Sequence, residues 1–247
     1  MIKLSRPSAP ACLDAVTVAT LTAKFKAEDA TVWNIAELKE ALLETSHSKC
    51  AYCECKLMAE SNYMEVEHFK HKDVYRDNVL DWDNLLPSCK RCNVAKLVHD
   101  VVKEPIVNPY KDDPRDHFKF ESYRFGFKTD VGKMTIPTLH LNDKQKIINL
   151  RFALGDRLKE ALITLEGRLE TFIKNGGASR TRNLLVGGLK GILQECQPQS
   201  DYSATASTVV LSDSTYISLK SALKDKKLWD LELETLDAKA QQIKLDI

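Results

Sequence analysis

Cys50-Ala51-Tyr52-Cys53 and Cys89-Lys90-Arg91-Cys92-Asn93, with Glu67-His68 and Asn84 between them and Lys96 just beyond, decide how this chain is read. Two Cys-x2-Cys pairs with 35 residues between Cys53 and Cys89 have the spacing of a four-thiolate zinc site. One soft cation binds both knuckles at a tetrahedral centre and ties Cys50 and Cys53 to Cys89 and Cys92. The segment between them is too small to fold on its own hydrophobic core, so the metal closes it. Met64 to Phe69 alternates like a strand, with Met64, Val66 and His68 on one face and Glu65, Glu67 and Phe69 on the other. Residues 56 to 63 are expected to supply the first strand and turn of a hairpin, the turn at Ser61-Asn62. Ser88 is placed to cap a helix that runs to His99. The expected order is knuckle, hairpin, loop, knuckle, helix, which holds Asn93 close to the strand carrying Glu67 and His68.

These residue types fit phosphodiester cleavage, which needs a base to activate water, a hard cation, and oxygen ligands that leave the cation open positions. His68 suits the base, because a neutral imidazole titrates near working pH. Glu67 and the Asn93 side-chain carbonyl are hard oxygen donors suited to Mg2+ or Mn2+ rather than zinc.

The pattern Cys-x2-Cys, acid-His on a strand, Asn84-Leu85, then Cys-x2-Cys-Asn-x2-Lys resembles the HNH nuclease signature in its zinc-stabilised ββα-metal form. The resemblance implies that His68 is the general base, that Glu67 and Asn93 bind the catalytic metal, and that Asn84 braces the loop that aims His68. The flanks narrow it. Glu67-His68-Phe69, Trp82-Asp83-Asn84-Leu85-Leu86-Pro87, Val107-Asn108-Pro109-Tyr110, Asp112-Asp113-Pro114 and the opening Arg6-Pro7 to Ala11-Cys12-Leu13 are similar to the PtuB nuclease subunits of Septu-type and retron-associated anti-phage systems. That family implies an ATPase partner of the PtuA type. The similarity covers residues 1 to 142 and fades after them. Two positions depart from the pattern: Glu67 stands where many HNH nucleases have Asp, and His71 stands where Pro is expected.

With 36 Lys and Arg against 35 Asp and Glu, the net charge of +1 gives no strong field for a polyanion. Lys70, Lys72, Lys90, Arg91 and Lys96 cluster by the site and are candidate phosphate contacts. The near-neutral total implies that substrate capture is shared with a partner. Seven cysteines, four at metal spacing, fit a reducing compartment, and no apolar run approaches a membrane span, so the protein reads as cytoplasmic. Cys55 is close enough to the first knuckle to slip into it, although the x2 spacing favours Cys50 and Cys53.

The expected fold is α+β and mostly helical: a small ββα-metal unit with a four-cysteine zinc site, embedded in a larger helical body with a short antiparallel β-meander. Residues 1 to 48 are an N-terminal helical segment, with helices over 13 to 25 and from an Asn34 cap to Thr45. Residues 49 to 104 are the nuclease unit, and 105 to 141 a connector and meander with strands at Phe118 to Phe120, Phe125 to Phe127 and Met134 to Ile136. Residues 142 to 247 form a C-terminal helical region: helices over 143 to 174, 180 to 195, 213 to 224 and 228 to 244, with 197 to 208 a polar linker. Gly187, Gly188 and Gly191 lack the Gly-Lys-Ser/Thr ending of a phosphate loop and are read as permitting close helix packing. Asp112-Asp113 is read as a turn before Pro114, not a metal pair. The leading function is a metal-dependent endonuclease, DNA favoured. Two alternatives stand beside it: a zinc knuckle used only to bind nucleic acid or a partner, and the same nuclease acting on RNA.

Overall fold

Asp14 accepts hydrogen bonds from the backbone N–H groups of Val16 and Thr17 and so opens helix α1, Ala15–Glu28. Helix α2, Ala36–Thr45, buries Leu38 and Leu42. Its first residue follows Ile35, so Asn34 is not the cap expected of it; its carboxamide accepts instead from the Lys39 ammonium. The computed structural model describes residues 1–58 and 63–247.

Strand β1, Met64–His68, pairs antiparallel with β2, Leu85–Cys89, with Met64 opposite Cys89 and His68 opposite Leu85. This corrects the expected hairpin. The partner of β1 is the segment that leads into the second Cys pair, while Lys56 bridges Lys49 and the turn expected at Ser61-Asn62 lies outside the described residues. Pro87 argues against a strand from sequence, since it has no N–H to donate. Here its carbonyl accepts the Ala51 N–H at 2.9 Å, which ties the first knuckle to β2. Because β2 runs through Cys89, Ser88 does not cap the helix that follows. Helix α3, Lys90–Lys96, begins directly after Cys89 without a side-chain cap.

The N-terminal segment is fastened to the same sheet. Arg6 stacks on Tyr110, 3.7 Å from ring centroid, and on Trp82, and donates to the carbonyls of Trp82 at 2.7 Å and Leu85 at 2.8 Å. A planar guanidinium serves both contacts at once, which an ammonium does not.

Asp113 caps the short helix α4, Pro114–His117, and Asp112 accepts the Asn108 N–H, so both acids serve the backbone. Strands β3, Phe118–Glu121, and β4, Arg124–Phe127, form a second two-stranded sheet. The third strand expected over Met134 to Ile136 is instead part of helix α5, Asp130–Thr138. Thr129 accepts from the Gly132 N–H and Asp130 sits in the first turn, and these helix-start groups outweigh the short apolar alternation.

The chain divides into two compact units, residues Met1–Phe118 with Gly126–Leu141 and residues Lys119–Phe125 with Asn142–Ile247. In the second unit Asp143 opens a π-helical turn, Lys144–Ile148, which runs into α6, Asn149–Lys174. Asn142, just before it, bonds the backbone N–H and carbonyl of Phe125. There follow α7, Ser179–Glu195, α8, Ser203–Leu211, α9, Ser214–Asp225, and α10, Leu231–Gln241. Leu158, Leu162 and Leu165 pack with Leu185, Leu189, Leu219 and Leu223 in one core.

Helix α8 corrects the polar linker expected over 197 to 208. Its serines, threonines and alanines are buried nearly all round, so no apolar stripe marks it in the sequence. Two of its hydroxyls are satisfied by backbone: Thr208 donates to the Ala204 carbonyl at 2.6 Å and Ser207 to the Cys196 carbonyl at 2.9 Å.

Candidate metal centre and active-site cleft

The sulfurs of Cys50, Cys53, Cys89 and Cys92 lie within 4.8 Å of one another, and all four residues are buried. Cys53 and Cys89 sulfurs are 3.8 Å apart. A tetrahedral ion with Zn–S bonds of about 2.3 Å has an S···S edge of about 3.8 Å, so the spacing matches a four-thiolate zinc site. The first pair sits on a tight loop, in which the Cys50 N–H donates to the Cys55 carbonyl and the Glu54 N–H to the Cys50 carbonyl. Glu54 there takes a φ of 65°. The second pair straddles the junction of β2 and α3. Arg91 Nη2 lies 2.9 Å from Cys92 Sγ, a cation set against the charge that four thiolates accumulate. Cys55 is half-buried and outside the group of four. The donor set, four soft sulfurs with no oxygen among them, fits zinc rather than a hard cation.

Next to this centre is a cleft of about 400 Å³, lined by Glu65, Glu67, His68, His71, Asn93 and Trp33 among others. The period-two strand turns Glu65 and Glu67 to one side of β1. Helix α3 lies against β1 and presents Asn93 and Lys96, three residues apart on one helical face. Asn93 Nδ2 donates to Glu65 Oε2, and Lys96 Nζ lies 2.7 Å from Glu67 Oε1. Lys96 also donates to the His68 carbonyl at 2.9 Å, so one buried ammonium fixes the strand at both residues.

Glu67 is 3% exposed, and burial pushes its carboxyl up to about 7; the Lys96 ammonium offsets only part of that. The His68 ring is buried too, and desolvation brings its pKa down to about 4, with Lys72 and Lys96 acting in the same direction. His68 Nε2 is 3.0 Å from the Val79 carbonyl. A carbonyl only accepts, so Nε2 carries the proton and Nδ1 keeps its lone pair.

Asn84 ends the loop that follows β1. Its Oδ1 accepts the Lys70 N–H at 2.6 Å, and its Nδ2 donates to the carbonyls of Lys70 at 3.1 Å and Asn78 at 3.0 Å. All of its side-chain polar atoms are thereby spent on the backbone of residues 70 and 78, next to the Val79 carbonyl that meets His68.

The structure brings Glu67, His68 and Asn93 to one cleft and Asn84 to its supporting loop. The lysines and arginine expected to meet phosphate divide. Lys72 lines the cleft, whereas Lys70 lines a separate depression with Asn84 and Asp81. Lys96 and Arg91 are spent internally: Lys96 on Glu67 and the His68 carbonyl, Arg91 on Cys92 and the His140 carbonyl. Lys90 is exposed at the start of α3.

Two cleft residues stand outside the sequence expectation. Trp33, from the segment between α1 and α2, meets the His68 ring at 4.7 Å, and no local pattern links residues 35 positions apart. Glu65 shares the alternation that places it beside Glu67, but no motif position marks it.

The segment from the first knuckle to the end of α3 matches the model of the HNH endonuclease family over residues 50–97. The chain is thus an endonuclease of the HNH class. Over 243 residues, 98% of this chain and 94% of the other, it is 40% identical to the Septu protein PtuB of Bacillus thuringiensis. A Septu protein PtuB of Bacillus mycoides (strain KBAB4) is 25% identical over 190 residues, which cover 57% of this chain and 63% of that one. The chain belongs to the PtuB family of Septu proteins. No solved structure matches it. No helix among the described residues is long and apolar enough to cross a membrane.

Proposed function

We propose that this chain is the cytoplasmic nuclease subunit of an anti-phage system in which it works with a PtuA-type ATPase. Its substrate is DNA, hydrolysed at the phosphodiester with Mg2+ or Mn2+. The observation that carries the reading is the meeting in one cleft of His68, Glu67 and Asn93, all three from the HNH segment.

The residues divide the work. His68 Nδ1 takes the proton of the attacking water, since Nε2 is committed to the Val79 carbonyl and burial keeps the ring neutral. Glu67 and Asn93 Oδ1 would hold a divalent cation, which would supply charge stabilisation at the phosphate. Asn84 keeps the loop behind His68 in place through its three backbone bonds. Lys72, which lines the cleft and pairs with Asp73, and Lys90, exposed at the start of α3, are candidate contacts for a phosphate backbone. A protein of net charge +1 gains little nonspecific attraction to DNA, which supports a division of labour in which the ATPase helps to capture substrate.

The test is His68→Ala in a protein whose zinc content and helical signal match wild type. Cleavage with Mn2+ should fall by about 10²- to 10⁴-fold. A wild-type rate from that variant removes His68 as the base. The same assay on single- and double-stranded DNA and RNA, with and without the ATPase, decides substrate and partner: DNA is cut in preference to RNA, and the ATPase changes rate or substrate choice. If the isolated chain equals the complex in both, shared capture is wrong.

A further inference from the structure

We infer that Glu65 is a positioning residue for the cation site, acting through Asn93. The inference rests on the proposed role of Asn93 and deepens it. A carboxamide has two chemically opposite ends, an oxygen that binds a cation and an NH2 that repels one. The two orientations have nearly the same shape, so packing alone does not select between them. In this protein Asn93 Nδ2 donates to Glu65 Oε2. A carboxylate only accepts, so the NH2 end must face Glu65 and Oδ1 is the end left for a ligand.

The strand and helix explain why Glu65 serves and Glu67 does not. Both acids point the same way from β1, and the facing residues of α3 differ. Lys96 lies against Glu67 and Asn93 against Glu65, forming two rungs between strand and helix. The Glu67 rung neutralises its acid with a buried ammonium, while Glu65 is only half-buried and has no cationic partner among the described residues. The donors that line this part of the cleft are carboxylate and amide oxygens, which suit a hard cation.

The measurement is Mn2+ affinity of the zinc-loaded full-length chain, read from the electron paramagnetic resonance of free Mn2+ in a titration. It is made on wild type, Asn93→Ala, Glu65→Ala, Glu65→Gln and the double variant Glu65→Ala/Asn93→Ala, each at wild-type zinc content. Groups that orient a metal ligand are worth about 10- to 100-fold in affinity. Asn93→Ala and Glu65→Ala should each weaken Mn2+ binding by about that much. The double variant should bind no worse than Asn93→Ala alone, because the Glu65 effect passes through Asn93. Glu65→Gln keeps the shape and an accepting oxygen, so it should recover most of the affinity and serves as the folded control. Wild-type affinity in Glu65→Ala beside a weakened Asn93→Ala overturns this inference and leaves the proposed site standing. Additive losses in the double variant also overturn it, making Glu65 a ligand in its own right. Wild-type affinity in Asn93→Ala removes the Asn93 reading itself.

Discussion

The Trp33 and His68 rings meet edge to face, with 4.7 Å between centroids and 81° between planes. Trp33 in turn meets Phe25 of α1 at 5.9 Å, and the Lys72 ammonium lies 5.7 Å from its ring centroid. The wall of the cleft over His68 is therefore built by the N-terminal helical segment and not by the HNH segment itself. Trp33→Ala admits water to the imidazole and relieves the desolvation that holds its pKa at about 4. The pKa then rises toward the ordinary value of about 6.5. A base works only in its neutral form, so the acid limb of the pH–rate profile moves to higher pH. The variant should lose more activity at about pH 6 than at about pH 8. Superimposable acid limbs in variant and wild type would show that Trp33 does not shield the proposed base, His68.

The zinc centre makes a sharper demand. Removing one thiolate leaves three, and structural zinc contributes folding free energy outright. Cys92→Ser should lose the bound metal and unfold the HNH segment, seen as zinc per chain falling toward zero by elemental analysis. The leucine core of the second unit should keep most of its helical signal, because its packing uses none of these residues. Cys55→Ser should retain one zinc per chain, since its sulfur stands outside the cluster of four. Zinc lost from Cys55→Ser would reassign the first knuckle.

What the sequence discloses here follows from the range of the forces involved. Cys-x2-Cys spacing is legible because ligand geometry is local and nearly rigid. Helices α6 and α7 are legible because Leu158, Leu162 and Leu165, and Leu185 and Leu189, recur at helical spacing along one buried face. Helix α8 is not, because burial on every side replaces the stripe with Ala, Ser and Thr, whose hydroxyls look solvated until their backbone partners are seen. Strand β2 hides behind Pro87 and Ser88, which read as a helix start; its pairing with β1 is decided some twenty residues away. In the cleft, His68, Glu67 and Asn93 carry a motif, whereas Trp33 belongs to a different stretch of chain and Glu65 has meaning only once Asn93 is seen against it.

The glycines of α7 separate packing from propensity. A Cβ on Gly188 would fall 2.6 Å from Leu165 Cδ2, and Leu165 is itself buried at 2% exposure and has little room to give. A Cβ on Gly187 or Gly191 meets nothing within 4 Å. Gly188→Ala should therefore destabilise by about 1–3 kcal/mol through overpacking. Gly187→Ala and Gly191→Ala should each stabilise by about 0.5–1 kcal/mol, because alanine favours the helix and nothing obstructs it. Urea unfolding of the three variants measures this. Equal effects at all three positions would mean that α7 does not rest on α6 through Gly188.

Leu97 ends α3 at φ 46° and ψ −124°, backbone that glycine adopts readily and leucine does not. Its N–H donates to the Asn93 carbonyl at 3.0 Å, and its side chain is 64% exposed at the lip of the cleft. An exposed leucine gains little from burial, so nothing it touches explains the strained turn. Leu97→Gly keeps the turn and removes the strain, which is worth about 1–3 kcal/mol. Leu97→Ala removes the same apolar surface and keeps the strain. Leu97→Gly should therefore unfold at higher urea than both wild type and Leu97→Ala, which should resemble each other. If glycine is no more stable than alanine here, the left-handed turn is not where the free energy is held.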